Sequence, residues 1–150
     1  MRKVGIYMLG IVFSIVAGIA MSLQGVFNTR LGERIGIWET NLVVQGTGLI
    51  LTFIILLFAG DGNLKDIKEA NKLYLLGGAL GVIIVFTVMK GIAALGPTYS
   101  IATILVAQLT AAGLIDAFGL FGSKQIKFGI TEIIGIAIMI IGIVVFKWRG

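Results

Sequence analysis

The chain of 150 residues contains no cysteine and no histidine. Without thiols or imidazoles it cannot form disulfides, thiolate or imidazole metal sites, or the Ser-His and Cys-His pairs of nucleophilic catalysis. Few carboxylates lie within its apolar runs, so the usual acid–base pairs are missing as well. We therefore expect no enzymatic activity, no catalytic residue, no metal and no cofactor.

Charge is also scarce, because only 13% of the residues are charged, whereas soluble domains carry about 25%. Hydrophobic residues make up 58% of the chain, and the mean hydropathy is +1.08. The apolar runs are about 17 to 22 residues long, enough to cross a hydrocarbon core of ~30 Å. The composition predicts an all-α, multi-pass protein of a cell membrane, with the lipid bilayer as its solvent.

Basic residues outnumber acidic ones, which gives a net charge of +5 and a pI near 9.8. The 12 Lys and Arg residues form no basic stripe and lie near the predicted helix ends, as expected beside membrane spans. We therefore expect no nucleic-acid partner.

The apolar runs predict five spans within a single transmembrane domain, residues 1–150. The first begins with a basic segment resembling a signal peptide, but no A-x-A cleavage site follows it, so we expect a retained helix. The single proline, in Gly96-Pro97, predicts the break between spans three and four. Connections are expected at 29–36, 60–72 and 122–129, and the predicted spans are 4–27, 37–59, 73–95, 98–120 and 130–146.

The orientation of these spans is weakly specified. Five spans place seven Lys and Arg residues on one side of the membrane and five on the other, whereas a clear excess fixes topology. Two alternatives remain: a fixed orientation with the N-terminus inside, or insertion in both orientations.

An odd number of spans has a consequence for assembly. Two oppositely inserted five-span units form an inverted-repeat transporter, with the substrate site at the repeat interface near the midplane. We expect this chain to be half of such a transporter, paired as a homodimer or with a paralogue.

Polar side chains near the first connection are the first group of candidate binding residues. Two of them lie one turn apart at the end of span one, and three lie at the start of span two. They either join helices by hydrogen bonds, with Lys90 snorkelling or paired to the carboxylate, or line a vestibule for a polar or zwitterionic solute or a cation. These residues are Gln24, Asn28, Glu39, Asn41 and Gln45.

Span four carries the other two candidates, Gln108 and Asp116. Ionisable groups in membrane spans indicate function by default because burying them is costly. Asp116 lies about one turn from the predicted span end, so it is either a solvated helix-end carboxylate or the partner of a proton or cation. The two residues are eight apart and are expected broadly on one face. We expect Gln108, far from both span ends, to line a cavity more readily than Asp116.

Glycine is abundant, with 22 residues spread mostly through the spans. Small residues let membrane helices approach closely. The pairs Gly77–Gly81 and Gly135–Gly142 predict tight packing within or between subunits, with a backbone-lined ligand path as the alternative.

The stretches "SLQGVFNTRLGERIG" (22–36) and "GPTYSIATILVAQLTAAGLIDAFGLFG" (96–122), with the five-span plan, resemble the YdcZ-type small membrane proteins of the drug/metabolite transporter superfamily. The resemblance covers nearly the whole chain and implies Gln24, Asn28, Gln108 and Asp116 as family-type polar positions. It also implies a bacterial or archaeal inner membrane as the location. A further implication is a relation to ten-span, EamA-like members built from two inverted five-span halves. The chain lacks the carboxylate that four-span multidrug members have in the middle of span one.

We expect a secondary-active transporter of small organic solutes or cations that acts as a dimer. Two alternatives remain at this stage, a channel-like pore of dual topology and a non-transporting accessory or assembly subunit.

Overall fold

The computed structural model describes residues 2–127 and 129–148, with the side chains of residues 5–127 and 129–148. Arg2, Lys3 and Arg149, which entered the orientation count, and Phe128, in the predicted 122–129 connection, lie outside these described side chains. The described residues form five long α-helices and no strand, which confirms the all-α membrane fold class. These helices are α1 (Arg2–Ile35), α2 (Ile37–Ala59), α3 (Gly77–Leu95), α4 (Pro97–Phe118) and α5 (Ile130–Lys147).

Helix α1 continues through most of the segment predicted as a connection. The Thr29 hydroxyl donates a hydrogen bond to the Gly25 carbonyl at 2.8 Å, and Arg30 pairs with Glu33 at 3.0 Å, one turn along the same helix. The first backbone break is Gly36, whose φ of 100° is a conformation that glycine adopts readily. The predicted link at 29–36 is therefore wrong except at Gly36, because a polar segment without proline remains a good helix.

The break between α3 and α4 agrees with its prediction. Gly96 has a φ of 78°, and Pro97 is the first residue of α4. Proline suits that position because its fixed φ fits the helix and the N–H it lacks would have no partner there.

The connection between α2 and α3 contains two 3₁₀ helices, each capped by an asparagine. Asn63 accepts a hydrogen bond from the Lys65 N–H before Leu64–Lys68, and Asn71 accepts one from the Leu73 N–H before Lys72–Leu76. A third 3₁₀ helix, Leu120–Gly122, follows α4.

The chain forms two compact units, Met1–Ala93 and Ala94–Gly150. In the first unit α1 packs on α2, and Val85, Met89 and Ile92 of α3 are the buried hydrophobic residues of the described chain. In the second unit α4 packs on α5. Most other large apolar side chains are exposed, as expected for helices that meet lipid.

Two glycines of α1 allow α3 to approach closely. A Cβ placed on Gly25 would lie 2.8 Å from Ile92 Cδ1, and one on Gly32 would lie 3.4 Å from Met89 Sδ. Close approach at small residues is the usual means by which membrane helices gain van der Waals contact.

The glycine pairs singled out in the sequence behave differently. A Cβ on Gly81 would lie 3.2 Å from the Gln45 amide nitrogen, so this glycine receives a side chain from α2. Among the described residues, and apart from the neighbouring backbone of its own helix, no atom lies within 4 Å of a Cβ placed on Gly77, Gly135 or Gly142. Packing within the described chain therefore explains the small residue at Gly81 but not at the other three positions.

Candidate functional site

Several hydroxyl side chains in the spans are satisfied by their own helices. Each of these donates to a carbonyl oxygen one turn earlier, at 2.8 to 3.0 Å. Such bonds remove the cost of placing a polar group in hydrocarbon. The residues with this arrangement include Ser14, Ser22, Thr87, Thr103 and Thr110.

Asn41 is an exception among these polar groups. Its side chain is 3% exposed, and its amide nitrogen donates to the Val82 carbonyl of α3 at 2.8 Å. Its amide oxygen Oδ1 is buried and has no hydrogen-bond partner within the described chain. Leaving a buried acceptor unpaired costs about 1 to 3 kcal/mol. Asn41 therefore offers a free acceptor at the contact between α2 and α3.

Two neighbours on α2 fix this contact. Trp38 stacks on Phe86 of α3 with ring centroids 4.9 Å apart and an angle of 14° between the rings. Gln45 packs against Gly81. Residues 38, 41 and 45 are three and four positions apart, so they share one helix face. The stacked pair and the glycine contact hold α3 against Asn41.

The other candidates of the first unit have different surroundings. Asn28 is buried at 7% exposure, whereas Gln24, one turn earlier, is exposed. The Glu39 carboxylate lies against Gly36 at the start of α2, where the helix dipole favours a negative charge. Among the described residues, no hydrogen bond joins any two of the five predicted side chains of this unit.

Lys90 lies on α3 and is exposed. The ion pair found in the described part of the chain joins Arg30 and Glu33, so the predicted alternative of a Lys90–Glu39 pair is wrong. The exposed side chain agrees instead with a snorkelling lysine.

The second unit contains a cleft of about 540 Å³ between α4 and α5, which we call the acidic cleft. Apolar and small residues from both helices form most of its walls, among them Leu109, Ala112, Gly113, Gly135, Ile136 and Met139. Three charged residues line it as well, namely Asp116, Lys127 and Glu132.

The loop after α4 builds one end of this cleft. Gly119, with a φ of 60°, ends the helix in the left-handed conformation, a common helix C-terminus. The chain then turns back onto the last turn of α4, whose carbonyl groups would otherwise lack partners. The Ser123 hydroxyl donates to the Ile115 carbonyl at 3.3 Å, and the Gln125 side-chain amide donates to the Ala117 carbonyl at 3.0 Å. The Ile126 backbone N–H donates to the Asp116 carbonyl at 2.9 Å.

The carboxylates of the acidic cleft differ in whether they have a hydrogen-bond partner within the described chain. One oxygen of Glu132 accepts the Gly129 backbone N–H at 2.7 Å and so caps α5. The Asp116 carboxylate makes no hydrogen bond or ion pair within the described residues and is half-buried. Sequence reasoning missed Lys127 and Glu132 as lining residues. The signal available was Gly129 followed three residues later by Glu132 at the start of an apolar run.

Gln108 does not line the acidic cleft and is exposed on α4. Eight residues turn a helix by about 80° beyond two full turns, so the predicted shared face is only approximate, and the cleft is lined by Asp116 without Gln108. The expectation that Gln108 would line a cavity before Asp116 is wrong for this cleft.

Comparison with known proteins identifies the family. No curated protein and no solved structure gives a match. A family described as "Putative inner membrane exporter, YdcZ" matches residues 9–145, more than nine-tenths of the chain. The match agrees with the five apolar helices and with a multi-pass membrane protein, and its description names an exporter and not an enzyme. The chain belongs to the YdcZ family of the inner membrane.

Proposed function

We propose that this protein is a secondary-active transporter that exports small organic solutes or cations and works as a dimer. Its family description supports export across the inner membrane. The further assignments below rest on the surroundings of particular side chains.

The observation that supports solute binding best is the unpaired amide oxygen of Asn41. This unpaired acceptor costs about 1 to 3 kcal/mol, and no lipid atom can bond it. A donor that arrives with a solute removes this cost, so the free acceptor favours a ligand with an N–H or O–H group. The Asn41 nitrogen remains fixed on α3 by its bond to Val82, which holds the oxygen in position.

Asp116 is our candidate for the residue that binds the driving ion. Its carboxylate lines the acidic cleft and has no ion-pair partner among the described residues. Lys127 lines the same cleft but forms no ion pair with Asp116, so the carboxylate can bind a proton or a cation, as ionisable groups in transporters do. We assign it to coupling and the amides Asn28, Asn41 and Gln45 to the solute.

A dimer gives exposed polar groups a role. Gln108 lies away from the ends of α4, and Gln24 lies away from the ends of α1. Both side chains are exposed, and both helices are able to span the membrane. An amide in hydrocarbon needs a partner or water, and a second chain can supply either. An oppositely inserted copy also completes the inverted repeat that a five-span unit lacks.

Export can be tested without knowing the solute. Cells expressing the wild type or Asp116→Asn are compared by mass spectrometry of the small molecules in the medium and in the cells. Asp66→Asn is the matched control, because this carboxylate lies in the exposed 60–72 loop. We expect the wild type and the control to enrich the medium in the same solutes and Asp116→Asn not to do so. Identical profiles for all three proteins would refute the assigned role of Asp116.

The dimer is tested by the orientation of the C-terminus. The chain has no cysteine, so Gly150→Cys introduces a single site for a membrane-impermeant thiol reagent. Labelling of about half the molecules in intact cells, rising to all after permeabilisation, is expected for an antiparallel homodimer. Complete or absent labelling in intact cells would mean one orientation, and the partner would then be an oppositely inserted paralogue or a parallel copy.

A further inference from the structure

A second cleft of the Ala94–Gly150 unit lies where α4 begins and α5 ends, with a volume of about 450 Å³. We call it the basic cleft. Its walls are mainly apolar and include Leu95, Ala102, Ile143 and Phe146. The residues considered so far for solute or ion binding do not line it.

Lys147 is the charged residue among the described residues that line the basic cleft. Its ammonium nitrogen lies 5.0 Å from the centre of the Tyr99 ring, within cation–π range. The ring contacts the ammonium from one side, and an ammonium has three N–H donors. Thr98 and Tyr99 also line the cleft and each carries a hydroxyl. Among the described lining residues, the polar part of this cleft therefore combines one positive charge with hydroxyl donors and includes no carboxylate.

The position of the cleft along the helices is that of a membrane interface. Pro97 is the first residue of α4, and Lys147 is the last residue of α5. The next residue, Trp148, is exposed. Tyrosine and tryptophan are enriched where the hydrocarbon ends and the headgroups begin. The polar part of the cleft thus lies at headgroup level, and its apolar walls extend along the spans.

We propose that the basic cleft binds an anionic phospholipid. The phosphate contacts Lys147 and the hydroxyls of Thr98 and Tyr99, and part of an acyl chain lies against Leu95 and Ile143. The single sign of the charge selects an anionic headgroup, and the apolar walls select a lipid over a free phosphate ion. This site is separate from the acidic cleft and does not depend on the transport function.

The test uses the full-length protein purified in detergent and mixed with equal amounts of dioleoylphosphatidylglycerol and dioleoylphosphatidylcholine. These lipids have the same chains, so native mass spectrometry of the retained lipid reports headgroup selection. We expect the phosphatidylglycerol to be retained preferentially. Lys147→Gln should lower its binding about five-fold, as expected for one cation near an anionic headgroup. Lys124→Gln is the matched control, since Lys124 is exposed and does not line the cleft.

A second pair of variants tests the apolar walls. Ala102→Leu fills the cleft and should reduce retention of both lipids, whereas Ala107→Leu changes an exposed alanine of the same helix outside the cleft. Circular dichroism verifies that each variant is folded. Equal retention of both lipids by the wild type, or wild-type retention of phosphatidylglycerol by Lys147→Gln, would overturn the proposal. Displacement of the lipid by excess glycerol phosphate would also overturn it, because the site would then recognise a free anion.

Discussion

Replacing Asn41 with leucine should separate its contribution to stability from its contribution to transport. The side chain makes one hydrogen bond between helices, to the Val82 carbonyl at 2.8 Å, and buries one unpaired oxygen. Hydrogen bonds between membrane helices are worth about 0.6 kcal/mol on average. An unpaired buried acceptor costs about 1 to 3 kcal/mol. Leucine has the same branched arrangement of side-chain heavy atoms and removes both the hydrogen bond and the unpaired acceptor.

The difference between these terms predicts that Asn41→Leu is more stable than the wild type by about 1 kcal/mol. Export should nevertheless be lost, because the acceptor proposed to bind the solute is gone. Stability is measured by denaturant unfolding in mixed lipid–detergent micelles, followed by circular dichroism, and export by the solute profile of the medium.

Thr40→Val is the matched control for this substitution. Thr40 is the neighbouring residue and is fully buried, but its hydroxyl is satisfied by the Gly36 carbonyl at 2.8 Å. This variant should keep its export activity. A loss of about 2 kcal/mol or more in Asn41→Leu would show that the amide oxygen has a structural partner. Wild-type export by Asn41→Leu would refute its role in solute binding.

Three further substitutions test the packing and the acidic cleft. Gly25→Leu should destabilise the first unit by about 1 to 3 kcal/mol, because even a Cβ there would lie 2.8 Å from an isoleucine of α3. Gly18→Leu, at a position with open space, should not be destabilised. Thermal unfolding that is equal in the two variants would contradict this packing. Gly36→Ala should cost about 1 to 3 kcal/mol in the same assay, since its φ is 100°, and an unchanged stability would mean that the break is unstrained. Ala112→Leu should reduce export by filling the acidic cleft, whereas Ala111→Leu, outside the cleft, should not. Equal export by both variants would show that the cleft is not part of the transport path.

Much of the helical fold follows from local signals in the sequence. Long apolar runs predict the spans because an uninterrupted helix satisfies its own backbone in lipid. Gly96-Pro97 predicts the start of α4 because proline is favoured at the first helical position. The segment 29–36 was mispredicted because its polarity suggests a loop, yet only Gly36 leaves the helix.

The candidate site was only partly predictable. The one-turn spacing of Asn41 and Gln45 predicts that they share a helix face, but the sequence does not show that α3 packs against that face. Gln24 and Asn28 are also one turn apart, but this spacing does not show that Asn28 is buried and Gln24 exposed. Their burial depends on which part of α1 the neighbouring helices cover. Lys127 reaches the acidic cleft through a loop that turns back on α4, and its bonds between residues eight to ten apart follow no helical or strand period.

The measurement that tests the central claim most directly is solute flux in liposomes that contain only the purified protein. Vesicles are loaded with a filtered extract of small cell metabolites and suspended in the same extract, so that no solute gradient exists at the start. A proton gradient is then imposed, and mass spectrometry follows the loss of each compound from the vesicles. We predict that at least one solute leaves wild-type vesicles only when the gradient is present and is retained in vesicles with Asp116→Asn. Flux that continues without the gradient, or no flux of any solute, would contradict secondary-active export and would indicate a pore or an accessory subunit.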